Sequence, residues 1–214
     1  ETIDAYEIGV KKTFGGRFQA NASAFYYDYQ DIQIPISGRD PVTDLNVTSF
    51  FNMPKARIIG FEVETTWQPI DNLQILANYS YLDAELRKAC CFQDPDDPRG
   101  LQPGVVLAGN SAADLADPTA KLNQDLKGNP LPSSTPHRVT VNVNYSWMLE
   151  PGDLSASLTY VWRDATYYSI FSDYWNKAKS FGQTDFRMLF TERDNRFTII
   201  GYVKNVFDTR GSAG

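Results

Sequence analysis

Between residues 137 and 147 the chain alternates without a break. Val139, Val141, Val143, Tyr145 and Trp147 are separated by Thr140, Asn142, Asn144 and Ser146. A period of two puts each set on its own face of a β-strand, whereas a helix would spread both around its circumference. Residues 57–68 repeat the pattern, with Ile59, Phe61, Val63, Thr65 and Trp67 against Gly60, Glu62, Glu64, Thr66 and Gln68. Residues 73–83 carry Leu73, Ile75, Ala77, Tyr79 and Tyr81 on one side, and residues 154–163 set Leu154, Ala156, Leu158, Tyr160 and Trp162 against Ser155, Ser157, Thr159 and Arg163. Three weaker alternations lie around residues 6–11, 19–26 and 185–190, and residues 196–206 are strand-like without resolving one face. The spacing predicts eight strands and no amphipathic helix.

The connections alternate in length. Phe14–Arg17, Pro69–Asn72, Glu150–Asp153 and Glu192–Asn195 are short and rich in Gly, Pro, Asp and Asn, as hairpin turns require. Between these hairpins lie three long stretches, Pro35–Pro54, Lys88–Pro136 and Tyr167–Lys179. Long loops at one end and tight turns at the other are the signature of an outer-membrane β-barrel. A tilted strand needs about 9 to 11 residues to cross a bilayer, which several of these segments supply. Aromatic residues close the apolar faces, where rings with a polar handle suit the lipid headgroup level. The competing reading is a large β-sandwich whose aromatic residues fill its core.

Composition narrows the partners. The 214 residues carry a net charge of −6 and a pI near 4.8, which argues against nucleic acid, since that footprint needs clustered positive charge. Aromatic residues make up 14% of the chain, too many for an acidic disordered segment. No apolar run approaches the about 20 residues of a spanning helix, so a helical membrane protein is excluded while a barrel is not. No leader follows Glu1, and any export signal is expected upstream. Cys90 and Cys91 are neighbours with no zinc-ligand spacing around them. Across a trans peptide their Cα atoms are too close for a relaxed disulfide, so the expectation is two loop thiols or pairing outside this chain.

Five segments in order resemble the C-terminal barrel of TonB-dependent outer-membrane receptors: Tyr6-Glu7-Ile8-Gly9-Val10-Lys11, Ala24-Phe25-Tyr26-Tyr27-Asp28-Tyr29, Gly60-Phe61-Glu62-Val63-Glu64, Ala77-Asn78-Tyr79-Ser80-Tyr81-Leu82-Asp83-Ala84 and Val203-Lys204-Asn205-Val206-Phe207-Asp208. Gly128-Asn129-Pro130-Leu131-Pro132 is similar to another stretch of that family. The resemblance implies an all-β, antiparallel transmembrane barrel of about 22 strands, of which eight lie here, with a separate plug domain in its lumen. It also implies the bacterial outer membrane, with surrounding lipid and TonB as partners, TonB acting through the plug. This chain shows no plug, no TonB box near its start and no final strand ending in an aromatic residue. Residues 1–214 are therefore expected to be a C-terminal portion of a larger barrel. The function implied is active import of a large scarce nutrient, with a ferric siderophore first by family frequency. The alternatives are oligosaccharide or other nutrient import by the same mechanism, or a passive porin-like channel.

Candidate chemistry follows from the faces. Glu7, Lys11, Glu62, Glu64, Arg163, Asp185 and Arg187 fall on the polar side of their strands and are expected to face the lumen, to meet a plug or to pair across strands. In the loop Tyr167–Trp175, the rings of Tyr167, Tyr168, Phe171, Tyr174 and Trp175 are the best ligand candidates, able to stack on a catecholate, a sugar face or a porphyrin. The acidic run Asp94-Pro95-Asp96-Asp97-Pro98 lacks the ordered ligand spacing of a Ca²⁺ loop and reads as solvated. His137 is the sole histidine and has no nucleophile motif beside it. No catalytic residue, metal ligand or cofactor is assigned, and the protein is not expected to be an enzyme.

Overall fold

The computed structural model describes residues 1–39 and 45–211. The middle of the Pro35–Pro54 stretch and the last three residues lie outside them. Eight long strands form one antiparallel sheet: β1 (Thr2–Phe14), β2 (Phe18–Arg39), β3 (Asn46–Ile70), β4 (Leu73–Lys88), β7 (His137–Leu149), β8 (Gly152–Arg163), β11 (Phe181–Glu192) and β12 (Thr198–Val203). They hydrogen-bond strictly in chain order, and β1 and β12 are the two edges of the sheet. Between β4 and β7 lie a two-residue pair, β5 (Phe92–Gln93) with β6 (Asn123–Gln124), and a one-turn helix, α1 (Ala112–Ala116). A second such pair, β9 (Thr166–Tyr167) with β10 (Lys177–Ala178), lies between β8 and β11. No helix among the described residues is long and apolar enough to cross a membrane.

The register turns the period-two pattern into two continuous surfaces. Val10 pairs with Ala22, Ala22 with Val63, Val63 with Tyr79, Tyr79 with Val139 and Val139 with Trp162, an apolar row across six strands. The neighbouring row on the other face runs Lys11, Asn21, Glu64, Asn78 and Thr140. Among the described residues no second layer covers the apolar face: Ile8 is 76% and Val10 66% exposed, and Phe61, Trp67 and Leu158 are also exposed. The buried core lies elsewhere, at the long-loop end. A sandwich core is thereby excluded. Rings close both ends of the apolar band: Phe14, Phe18, Trp67, Tyr145 and Trp147 toward the tight turns, and Tyr6, Tyr26, Tyr79 and Tyr81 toward the long loops.

Beyond that band the two faces exchange character. In line with Phe61, Ile59 and Tyr81 come Arg57, Asp83 and Glu85, with Lys55 and Asp28 beside them. Lys55 Nζ lies 2.8 Å from Asp28 Oδ2, Arg57 Nη2 2.8 Å from Asp83 Oδ2, and Arg57 Nη2 2.6 Å from Glu85 Oε1. On the opposite face, Glu62 gives way to Ala56, Ala84 and Leu86, all buried. The apolar run from Ile59 to Trp67 is nine residues long, within the about 9 to 11 that a bilayer demands of a tilted strand. Such an inversion is what a two-faced sheet passing from hydrocarbon into water requires.

Three expectations need correction. Strands β2 and β3 continue to Arg39 and from Asn46, so most of Pro35–Pro54 is a projecting hairpin rather than a loop. Pro54 has no N–H to give and Asp31 has a φ of 52°, and pairing skips this one rung and resumes at Ile32 and Met53. The stretch Lys88–Pro136 is not structureless: it carries the β5–β6 pair and α1, whose Ser111 accepts from the Asp114 N–H at 3.1 Å while the Ser111 N–H donates to Asp114 Oδ2 at 2.9 Å. Cys90 and Cys91 are joined in a disulfide across a cis peptide bond, which places their Cα atoms 3.0 Å apart and removes the trans-peptide premise of the earlier expectation.

Gly60 fills a position no other residue fits. A Cβ there would come within 2.6 Å of the Tyr81 carbonyl oxygen and collide with the Phe25 ring lying over it. Gly60→Val is expected to destabilise the sheet by about 1 to 3 kcal/mol, read as a lower temperature at which the folded, fast-migrating band of the protein is lost on a gel.

Candidate functional site: the packed loop layer and the polar face

The Gly128–Pro132 motif positions the loops. Strand β4 projects beyond its partner β7, and the returning chain docks on that free edge. The Leu131 N–H donates to the Ala84 carbonyl at 2.9 Å, the Gly128 N–H to Leu86 at 2.8 Å, and the Leu86 N–H to the Asn129 carbonyl at 2.9 Å. This brings Leu126 and Leu131 onto Ala84, Leu86, Met53 and Ile34. The β8–β11 loop closes the cluster with Ile170 and Phe171, tied down by Asn129 Nδ2 donating to the Ile170 carbonyl at 2.8 Å and by the Thr135 and Thr166 hydroxyls 2.6 Å apart. Loops that would otherwise be mobile thus form a packed layer.

The five aromatic candidates separate into two groups. Phe171 is buried in that cluster, and Tyr167 sits in β9 with the Lys177 ammonium 4.8 Å from its ring centroid. Tyr168, Tyr174 and Trp175 are exposed, Tyr174 at 72%, and the Tyr174 and Trp175 rings meet edge to face with centroids 4.7 Å apart. Sequence alone could not separate anchor from exposed ring, because all five occur within nine residues.

The acidic run is not solvated as expected. Asp94 is 1% and Asp97 8% exposed, because the β5–β6 pair folds them beneath the β8–β11 loop. Asp97 Oδ2 accepts from the Gln102 N–H at 2.9 Å. Asp94 Oδ1 accepts from the Asp96 N–H at 2.9 Å, while Asp94 Oδ2 has no hydrogen-bond donor. Asp173, from the other loop, is 1% exposed and accepts from Gln102 Nε2 and from Asn176 Nδ2. Burial pushes the Asp94 carboxyl up to about 7, and the Asp173 carboxylate beside it acts in the same direction against the Asp96 N–H. Sequence reading missed Asp173 because it lies far along the chain from Asp94.

On the polar face the register places Glu7, Lys11, Glu62, Glu64, Arg163, Asp185 and Arg187 on one side of the sheet. Arg138, not singled out in the sequence, joins them directly opposite Arg163. Glu7 accepts from the Tyr27 hydroxyl, Glu64 from Asn21 Nδ2 at 3.4 Å, and Asp185 from the Asn205 N–H and Gln183 Nε2, each at 2.8 Å. His137 lies at the top of the apolar face, its Nδ1 2.8 Å from the Tyr79 hydroxyl.

Comparison with known proteins places this geometry. Residues 1–206 match the family model described as TonB dependent receptor-like, beta-barrel. No curated protein sequence matches the chain. Among solved structures it is similar to the ferric yersiniabactin uptake receptor FyuA from Yersinia pestis, with a TM-score of 0.67 at 17% identity over 98% of this chain and 25% of that one. It is similar to the siderophore receptor PiuA from Acinetobacter baumannii, with a TM-score of 0.65 at 20% identity over 98% and 25%. For the outer membrane transporter YddB from Escherichia coli the TM-score is 0.55 at 16% identity, over 98% and 29%. The chain spans about a quarter of the length of each of these structures.

Proposed function

Because the chain belongs to the TonB-dependent receptor β-barrel family of the bacterial outer membrane, we propose that it is a C-terminal portion of the barrel of an active importer. In this reading the packed loop layer faces the exterior and captures a large scarce nutrient, first a ferric siderophore. A plug domain, pulled by TonB, admits it. Two similar structures, named as the ferric yersiniabactin uptake receptor FyuA and the siderophore receptor PiuA, support that substrate class. The carrying observation is the inversion of the two faces at Ile59 and Arg57: an apolar face with nothing over it, backed by a polar one and capped at one end only by a packed loop layer. The family match favours this reading over a passive channel.

The chain's own residues suit two tasks. Tyr168, Tyr174 and Trp175 offer flat exposed rings for stacking on aromatic iron ligands. Glu62, Glu64, Lys11, Arg138 and Arg163 offer a wall of hydrogen-bonding charge that a plug can slide against, since exposed pairs of this kind cost little to exchange. No catalytic step is assigned to any of them.

Titration of the whole receptor with a ferric catecholate siderophore, followed by tryptophan quenching and with maltooligosaccharides as the competing class, tests this. The expected result is saturable siderophore binding at micromolar concentration that sugars do not displace. The double variant Tyr174→Ala, Trp175→Ala is expected to bind about tenfold more weakly, as the loss of two aromatic contacts implies. Sugar binding without siderophore binding would overturn the substrate assignment.

A further inference from the structure

Asp94, Asp96 and Asp173 each direct one carboxylate oxygen into a common space, and those three oxygens lie within 4.8 Å of one another. Asp94 and Asp96 line a crevice of about 230 Å³ together with Ser169 and Asn176 of the β8–β11 loop. Asp94 and Asp173 are both 1% exposed, and among the described residues no ion pair reaches any of the three carboxylates. Neutral amides satisfy Asp173, and one backbone N–H satisfies half of Asp94. Asp94 Oδ2 is buried with no donor.

Two buried like charges facing each other are unfavourable without a compensating positive charge. The remedy must be compact, positive and able to accept several oxygens at once. An all-oxygen set selects a hard cation over zinc or copper. Oxygens that share a Ca²⁺ at about 2.3 to 2.6 Å stand no more than about 5.2 Å apart, and the three oxygens here meet that limit; Ca²⁺ also tolerates irregular oxygen sets, whereas Mg²⁺ demands a near-ideal octahedron.

We propose that Asp94, Asp96 and Asp173 form a Ca²⁺ site that clamps the β4–β7 loop to the β8–β11 loop. Water in the crevice completes the coordination. The clamp holds Tyr174 and Trp175, the next residues after Asp173, in place on the loop surface.

The complete receptor, purified in detergent and stripped with chelator, is titrated with CaCl₂ by calorimetry at neutral pH. The double variant Asp94→Asn, Asp173→Asn is expected to bind one Ca²⁺ fewer than the unaltered receptor. The lost site is expected to have a Kd on the order of 10⁻⁴ to 10⁻³ M, as in extracellular modules. Asp96→Asn, at an exposed position outside the packed cluster, keeps the fold and is expected to weaken that site at least tenfold. Ca²⁺ should also slow chymotrypsin cleavage after Tyr174 and Trp175 in the unaltered receptor and not in the double variant. Equal Ca²⁺ stoichiometry and affinity in all three proteins would overturn the proposal, and would mean that a proton shared by Asp94 and Asp173 neutralises the pair instead.

Discussion

Replacing Val141 by arginine is expected to destabilise the assembled receptor by about 2 to 4 kcal/mol, the cost of a guanidinium near the middle of a lipid-facing barrel wall. Val141 sits between Ala77 and Tyr160 in register, in an apolar band with nothing over it. Asn142→Arg, one residue on, faces the other way beside Thr159, itself opposite Asp185, and is expected to leave stability nearly unchanged. The pair is read from the temperature at which the compact band unfolds and from the amount of receptor recovered in the outer membrane. A single-residue step that reverses the outcome is the mark of a two-faced strand, because neither bulk nor charge alone distinguishes the sites.

Leu86→Ala is expected to cost about 2 to 5 kcal/mol, the usual range for emptying a buried leucine site. Leu86 is fully buried in the cluster with Met53, Leu126, Ile170 and Phe171. That cluster belongs to the loop layer and not to the membrane-crossing wall, so the loss is local. The compact band should persist at room temperature while the loops of this layer become sensitive to protease and binding of the proposed siderophore ligand weakens. A variant that loses the compact band altogether would show that the loop layer and the wall fold as one unit.

The wall was legible in the sequence because its clearest strands carry their own address, although β12 does not resolve one face by sequence alone. In β7, Val139 to Trp147 alternates without interruption, and a one-residue slip would turn every apolar side chain to the wrong face. The same logic explains where reading stopped. Pro35 and Pro54 look like loop residues, yet Pro35 pairs with Phe50 within the projecting β2–β3 hairpin and Pro54 sits at the one rung the pairing skips, where a missing N–H is tolerated. The face inversion at Arg57 and Asp83 is written in the sequence as a run of charges after an apolar run, but only the register shows that Ala56, Ala84 and Leu86 then turn inward together. For the loops, what counts is which side chain reaches which loop. Phe171 and Trp175 are equivalent as letters, and one became an anchor and the other an exposed ring. Asp94 acquired its significance from Asp173, and no local pattern links positions so far apart.

Nitroxide labels placed singly from Val139 to Trp147, in the full receptor reconstituted in liposomes, test the central claim most directly. Collision with dissolved oxygen, which concentrates in hydrocarbon, should peak at Val139, Val141, Val143 and Tyr145. Collision with a water-soluble nickel chelate should peak at Thr140, Asn142, Asn144 and Ser146, the two profiles running in antiphase with a period of two. Profiles without that alternation, or a low response to both reagents at Val141 and Val143, would place those side chains in a dry protein interior and contradict the account.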